Sequence, residues 1–265
     1  MNAFASDLDR TLIFSKRMLE AYGSDGNHEL IERLDGKPIS YISSKTKSIL
    51  KQINEDMFFI PVTTRTIEQY KRIQLFQDEI VPQYAITSNG GTILKSGTVL
   101  KEWTLYVEQL LKKCTPIEEV MKKVTDLDDS KWIKRIKLGD DMFFYIILHT
   151  EHFSTSRLLE LRGLTDNLRW QLSLQGRKLY FIPKTLNKWT AVHYLRDALG
   201  LNEIYTAGDS LLDYELIING TYGIAPLHGE VVDDSLTLNK TEQAGIKASE
   251  EIVEALQCRY KNIHV

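Results

Sequence analysis

Only two cysteines occur in the 265 residues, Cys114 and Cys258. They form neither a C-x-x-C pair nor a zinc spacing, which excludes a disulfide framework and a cysteine-based metal site. Both read as ordinary thiols in a reducing compartment. No apolar run approaches the roughly 18 residues that a membrane crossing needs, and "MNAFASDLDR" lacks a basic segment followed by an apolar one. The expectation is a soluble, cytoplasmic protein with no membrane partner. Charge of one sign is also missing: 33 Lys and Arg against 36 Asp and Glu leave a formal net charge of -3. That balance carries no electrostatic footprint for nucleic acid. Internal repeats and low-complexity linkers are absent, and acids rather than G-x-G-x-x-G follow the first apolar run, which excludes a dinucleotide cradle there.

What is present is 43% hydrophobic residues in short apolar runs that alternate with segments of helical period. That alternation predicts an α/β fold with a mostly parallel sheet. Candidate strands are Asn2 to Ser6, Met57 to Val62, Tyr84 to Thr87, Glu203 to Ala207 and Thr221 to Ala225. "SSKTKSILKQINED", "TIEQYKRIQLFQ" and "NKWTAVHYLRDALG" read as helices, the first capped by Ser and the last closed by Gly200. Between residues 92 and 182 the pattern changes to hairpin, helix from Tyr106 to Val124, two strands, helix from Ser154, and hairpin. This predicts an inserted α+β domain over 92–182, with 1–91 and 183–265 forming the α/β core.

Several predicted strands release polar residues just past their C-terminal ends: Asp7 and Asp9, Thr63, Ser88 and Asn89, and the acids of "GDSLLD". Ligand sites in open α/β sheets lie at those ends. Convergence would gather Asp7, Asp9, Asp209 and Asp213, and four carboxylates in one crevice require a cation. An all-oxygen set suggests Mg²⁺, while Lys188 at a helix start can meet a phosphoryl group. Alone, Asp-x-Asp is a turn or cap, "GDS" a turn and a helix-start lysine a solvated charge. Their order along the chain, each at a strand end or helix start, is what favours a site.

With "DLDRT", "PVTTRT", "NKWTAV" and "GDSLLD" in this order, the chain resembles the haloacid dehalogenase (HAD) superfamily of phosphatases. The insert resembles a type IIB cap, and "AITSNGG" is similar to a strand-end loop of the sugar-phosphatase-like branch that includes sucrose-phosphate and mannosyl-3-phosphoglycerate phosphatases. The resemblance implies a Rossmann-like core with a cap and a Mg²⁺-dependent phosphatase acting on a small phosphorylated metabolite, a sugar phosphate above all. It implies Asp7 as nucleophile, Asp9 as acid and base, and Thr63 and Lys188 as catalytic partners. Metal ligands would be Asp7, Asp9 through its carbonyl, Asp209 and Asp213 as ligand or support.

Substrate contacts are expected from Thr64, Arg65, Ser88 and Asn89, with Lys134, Arg135, Lys137, Arg177 and Lys178 as cap candidates. Three positions depart from the superfamily pattern: Arg10 and Thr64 where Gly is usual, and Leu212 where Asn is usual. A phosphomutase and a non-catalytic sugar-phosphate sensor remain as alternatives, and a nucleotide, phosphoglycerate or cofactor phosphate as alternative ligands.

Overall fold

The computed structural model describes residues 1–129, 131–232 and 238–263. Two compact units emerge, Met1–Val99 with Lys188–Val265, and Leu100–Asn187.

The first unit begins with β1 (Ala3–Ser6), β2 (Phe14–Ser15), α1 (Lys16–Tyr22), β3 (His28–Leu34), β4 (Lys37–Ser43) and α2 (Ser44–Asp56). It continues through β5 (Phe58–Pro61), α3 (Ile67–Lys71), α4 (Leu75–Asp78), β6 (Tyr84–Thr87), β7 (Thr92–Lys95) and β8 (Thr98–Val99). The second unit holds α5 (Lys101–Leu111), α6 (Ile117–Thr125), β9 (Ile133–Gly139), β10 (Phe143–Leu148), α7 (Thr155–Asn167), β11 (Trp170–Gln175) and β12 (Lys178–Pro183). The chain then returns to the first unit with α8 (Lys188–Leu199), β13 (Ile204–Ala207), α9 (Tyr214–Asn219), β14 (Tyr222–Ala225), β15 (Asn239–Lys240) and α10 (Ile246–Ile263).

The main sheet is parallel, in the order β15-β14-β13-β1-β5. β1 lies inside the sheet, between β13 and β5, and is buried along its whole length, so its sequence "AFAS" carries no polar face. Ala5 pairs with Thr206 on one side and Ile60 on the other, which brings the ends of β1, β5 and β13 level. α2 starts on Ser43, whose Oγ accepts from Lys45 N at 3.2 Å, and buries Leu50 and Ile53 in the core with Ile252, Val253 and Leu256 of α10. Thr66 caps α3 in a capping box with Gln69.

Two expectations are corrected. The hairpin "TILKSGTVLKEW", read as opening the insert, supplies β7 and β8, which form an antiparallel sheet with β6 in the first unit. β6 is bridged in parallel to the residue after β5, Val62 to Ile86, and its Tyr84 packs on Phe58 of β5. The helix expected over Tyr106 to Val124 is two helices, because Pro116 sets the start of α6 and cannot continue α5. The structure adds the β3–β4 hairpin, which no reading of the sequence anticipated although Asp35-Gly36 marks it. Both residues have positive φ, 51° and 75°, as a two-residue type I′ turn requires.

The second unit is an antiparallel sheet ordered β11-β12-β10-β9. One face, with Phe144, Ile146, Leu179 and Phe181, packs on Val120, Val124 and Leu161 of α6 and α7. Pairing places Arg135, Lys137, Tyr145, Lys178 and Tyr180 on the opposite face. Of the cap candidates, Lys134 falls at a bulge and Arg177 in the β11–β12 turn.

Candidate active site

Asp7 is the first residue after β1, and its N–H still bonds Ala207 O at 2.9 Å. The chain then turns at once: Leu8 O accepts from Thr11 N, Leu12 N and Ile13 N. Apolar Leu8 and Leu12 are fully buried and anchor this turn. Asp7 therefore points from a rigid strand end rather than from a free loop.

Lys188, the first residue of α8, is 1% exposed. Its Nζ donates to Asp7 Oδ1 at 2.6 Å and to Asp213 Oδ1 at 2.5 Å. Thr11 Oγ1 donates to Asp7 Oδ2 at 3.2 Å. The other oxygen of Asp213 accepts from Ser210 N at 3.0 Å and Ser210 Oγ at 2.7 Å, so both of its oxygens are engaged. Gly208 makes room for this: a Cβ there would stand 2.3 Å from Asp213 Cβ.

Asp7, Asp209 and Asp213 are all buried and offer carboxylate oxygens within 4.8 Å of one another. Burial, opposed by Lys188 and reinforced by Asp213, pushes the Asp7 carboxyl up to about 7. Asp209 is also raised, by burial first and then by Asp7, against the pull of Arg10. For Lys188 burial works against the ammonium, yet Asp213 and Asp7 outweigh it and raise its pKa. Arg10 takes the left-handed backbone, φ 69°, at the position where glycine is usual, and sends Nε to 3.1 Å from Asp209 Oδ2. Its carbonyl accepts from His228 Nε2 at 2.9 Å, the tautomer being set by Gly245 N donating to Nδ1.

When all three carboxylates are ionised, Lys188 and Arg10 leave one formal negative charge in this cluster. Hard oxygen donors, close spacing and carboxyls held in an unfavourable ionised state are what a divalent cation such as Mg²⁺ would relieve. The residues present fit that ion, with Asp7 and Asp209 as the carboxylates that could hold it and Asp213, which takes three hydrogen bonds from Lys188 and Ser210, as ligand or brace.

A second group adjoins the first through the chain. Arg65 donates to Asp9 in a fork, Nε to Oδ2 at 2.6 Å and Nη2 to Oδ1 at 2.8 Å. Arg65 and Thr63 lie just past β5, and the "SNG" turn after β6 is laced to them. Asn89 N bonds Thr63 O at 3.0 Å, Ser88 N bonds Arg65 O at 2.8 Å, and Arg65 N bonds Thr63 Oγ1 at 3.1 Å. Ser88 and Asn89 hold φ of 55° and 56°, which lets both N–H groups face that loop. α8 packs on the same turn. Thr64 is half-buried beside them.

The sequence reading gathers Asp7, Asp9, Asp209 and Asp213 in one crevice with Lys188; the structure brings Asp7, Asp209, Asp213 and Lys188 together, and Thr63 beside Ser88 and Asn89, while the Asp9 carboxylate is held by Arg65 instead. The sequence reading did not anticipate Thr11, Ser210, Glu32 or Ser40, whose roles depend on side-chain contacts. It also expected Arg65 to contact substrate, whereas all five of its N–H donors are bonded to the protein: two to Asp9, and one each to Glu32, Gln69 O and Ser40.

Comparison with known proteins agrees with this architecture. A family profile described as Sucrose-6F-phosphate phosphohydrolase matches residues 2–257. A sequence search of curated proteins gives no significant match. Among solved structures, the sucrose-phosphatase of Synechocystis sp. PCC6803, in complex with sucrose and phosphate, is similar with a TM-score of 0.68 at 14% identity, covering 97% of this chain and 98% of that one. A putative HAD/COF-like hydrolase from Plasmodium vivax gives 0.67 at 12% identity, covering 97% and 96%. A HAD subclass IIB sugar phosphatase gives 0.65 at 12% identity, covering 97% and 98%. At these identities the structures speak to the fold, and it is the profile that assigns the family. The chain belongs to the sucrose-6F-phosphate phosphohydrolase family, phosphatases of the haloacid dehalogenase superfamily.

Proposed function

We infer that this protein is a Mg²⁺-dependent phosphatase that hydrolyses a small phosphomonoester, a sugar phosphate, through an aspartyl-phosphate. The observation that carries the reading is Asp7: a buried carboxylate at the end of β1, bonded to Lys188 and within 4.8 Å of Asp209 and Asp213. A buried acid with so little hydration is an activated nucleophile once its charge is balanced.

In the first step an Asp7 carboxylate oxygen attacks phosphorus, the P–O bond to the substrate alcohol breaks, and Asp9 gives its proton to the departing oxygen. In the second, water attacks phosphorus, its proton passes to Asp9, and the bond between phosphorus and Asp7 breaks to release phosphate. Both steps return the protein to its starting protonation. Lys188 and Thr63 meet the charge on the phosphoryl oxygens with donors already in place. Asp7, Asp209 and the carbonyl of Asp9 would hold Mg²⁺, with Asp213 as brace. Bound there, Mg²⁺ supplies the positive charge that offsets the repulsion between carboxylate and phosphate. Within the first unit, substrate selection falls to Thr64, Ser88 and Asn89.

The test is phosphate release from a panel of sugar phosphates, phosphoglycerates and nucleotides, with and without Mg²⁺, in wild type and Asp7→Asn. Release that needs Mg²⁺ and falls by at least about a thousandfold in the variant is expected. Undiminished release in Asp7→Asn would sink the assignment. Net transfer to a sugar rather than to water would move it to a mutase.

A further inference from the structure

Glu32 belongs to no motif that the sequence singled out, yet it is fully buried on β3, away from the carboxylate cluster around Asp7. Its Oε2 accepts from Ser40 Oγ at 2.7 Å and from Arg65 Nη1 at 2.8 Å. Its Oε1 lies 3.3 Å from both Nε and Nη2 of Arg72. A hairpin that only had to pack would be at least as stable with Glu32 and its arginine partners all replaced by apolar side chains, because desolvating an ion pair commonly outweighs its attraction.

The strand is also shaped around this residue. Pairing of β3 with β4 shifts register on both sides of Glu32, between Leu30 and Glu32 and between Glu32 and Arg33. Glu32 makes an isolated bridge with Ile73, and Ile31 O accepts from Gln74 N at 3.0 Å. Bulges of this kind re-aim a side chain, and they gather beside active sites. Here the side chain is turned onto one edge of the Arg65 guanidinium.

The other edge of that guanidinium forms the fork with Asp9. Because the group is planar and rigid, fixing Nη1 on Glu32 and Nη2 on Ser40 fixes where the fork points. Arg65 is in turn held to the neighbouring loop by its backbone. The arrangement Glu32, Arg65, Asp9 is thus a chain of three ionisable groups, with only the last half-exposed.

We propose that Glu32 is a positioning residue that acts through Arg65 to orient the Asp9 carboxyl toward the departing oxygen of the substrate. This rests on the phosphatase reading, which gives Asp9 its role as acid. The relay matters in proportion to how much the leaving group needs a proton. An alkoxide needs one badly, and a nitrophenolate hardly at all.

The experiment compares kcat/KM of wild type and Glu32→Gln, with Mg²⁺, on the best sugar phosphate of the panel and on 4-nitrophenyl phosphate. kcat/KM covers only the steps through loss of the leaving group, so hydrolysis of the aspartyl-phosphate does not blur the result. A loss of at least about tenfold on the sugar phosphate, with 4-nitrophenyl phosphate within about twofold, is expected. Equal losses on both substrates, or none, would overturn the relay and leave Glu32 a structural residue. Should Glu32→Gln fail to fold, Ser40→Ala leaves every charge in place and is expected to show the same asymmetry at several-fold. A wild type inactive on both substrates would instead overturn the phosphatase reading itself.

Discussion

Replacing Lys188 by Met removes the cation bonded to both Asp7 and Asp213 while keeping most of its volume inside the core. Breaking a buried ion pair from one side costs about 3–5 kcal/mol, because the abandoned charge stays buried. In this protein the cost has a characteristic pH dependence. Asp7 already titrates near 7 in the presence of Lys188, far above the ordinary carboxyl value, so its ionised form opposes folding. A group whose folded pKa is raised contributes stability that is present at low pH and lost as pH rises through the folded value. In wild type that loss ends near pH 7. In Lys188→Met the folded pKa lies higher still, so the loss continues. The deficit of the variant is therefore flat below about pH 7 and grows above it by up to about 1.4 kcal/mol per pH unit. Urea denaturation followed by circular dichroism at pH 6 and pH 8.5, in chelator, measures both values. A deficit below about 1 kcal/mol, or one no larger at pH 8.5 than at pH 6, would refute the claim that Lys188 balances these carboxylates.

Divalent cation acts on the same groups. Asp7 and Asp209, both raised by burial, must lose their protons to bind it, so the rise in Tm on adding Mg²⁺ is expected to be larger at pH 8 than at pH 5.5. Equal shifts at the two pH values would place the ion elsewhere. Gly208→Ala puts a methyl group 2.3 Å from Asp213 Cβ and is expected to cost about 1–3 kcal/mol by overpacking. It should also weaken Mg²⁺-induced stabilisation, and an unchanged Mg²⁺ response would show that Asp213 does not brace the site.

The sequence by itself determined the parallel core and most of the candidate site. β1, β5, β6, β13 and β14 are short apolar runs whose polar successors must leave the sheet at its carboxyl edge, so Asp7, Thr63, Ser88 and Asp209 were legible as neighbours from pattern alone. Ser43, Thr66 and Ser154 announce helix starts because their side chains bond nearby N–H groups, a local effect. Tertiary structure decided what depends on partners distant in the chain. Whether "TILKSGTV" opens the insert or extends β6 depends on which edge accepts it, and the periodicity of a hairpin is the same in either place. The β3–β4 hairpin carried a visible signal in Asp35-Gly36, but its burial of Glu32 did not, since an acidic residue on a strand reads as solvent-facing until its arginines are known. Arg65 shows the limit most directly. Its position beside Thr63 made it a candidate substrate contact, and only the side chains that close on it from β3, β4 and the loop after β1 turn its five donors inward, toward the protein's own acids.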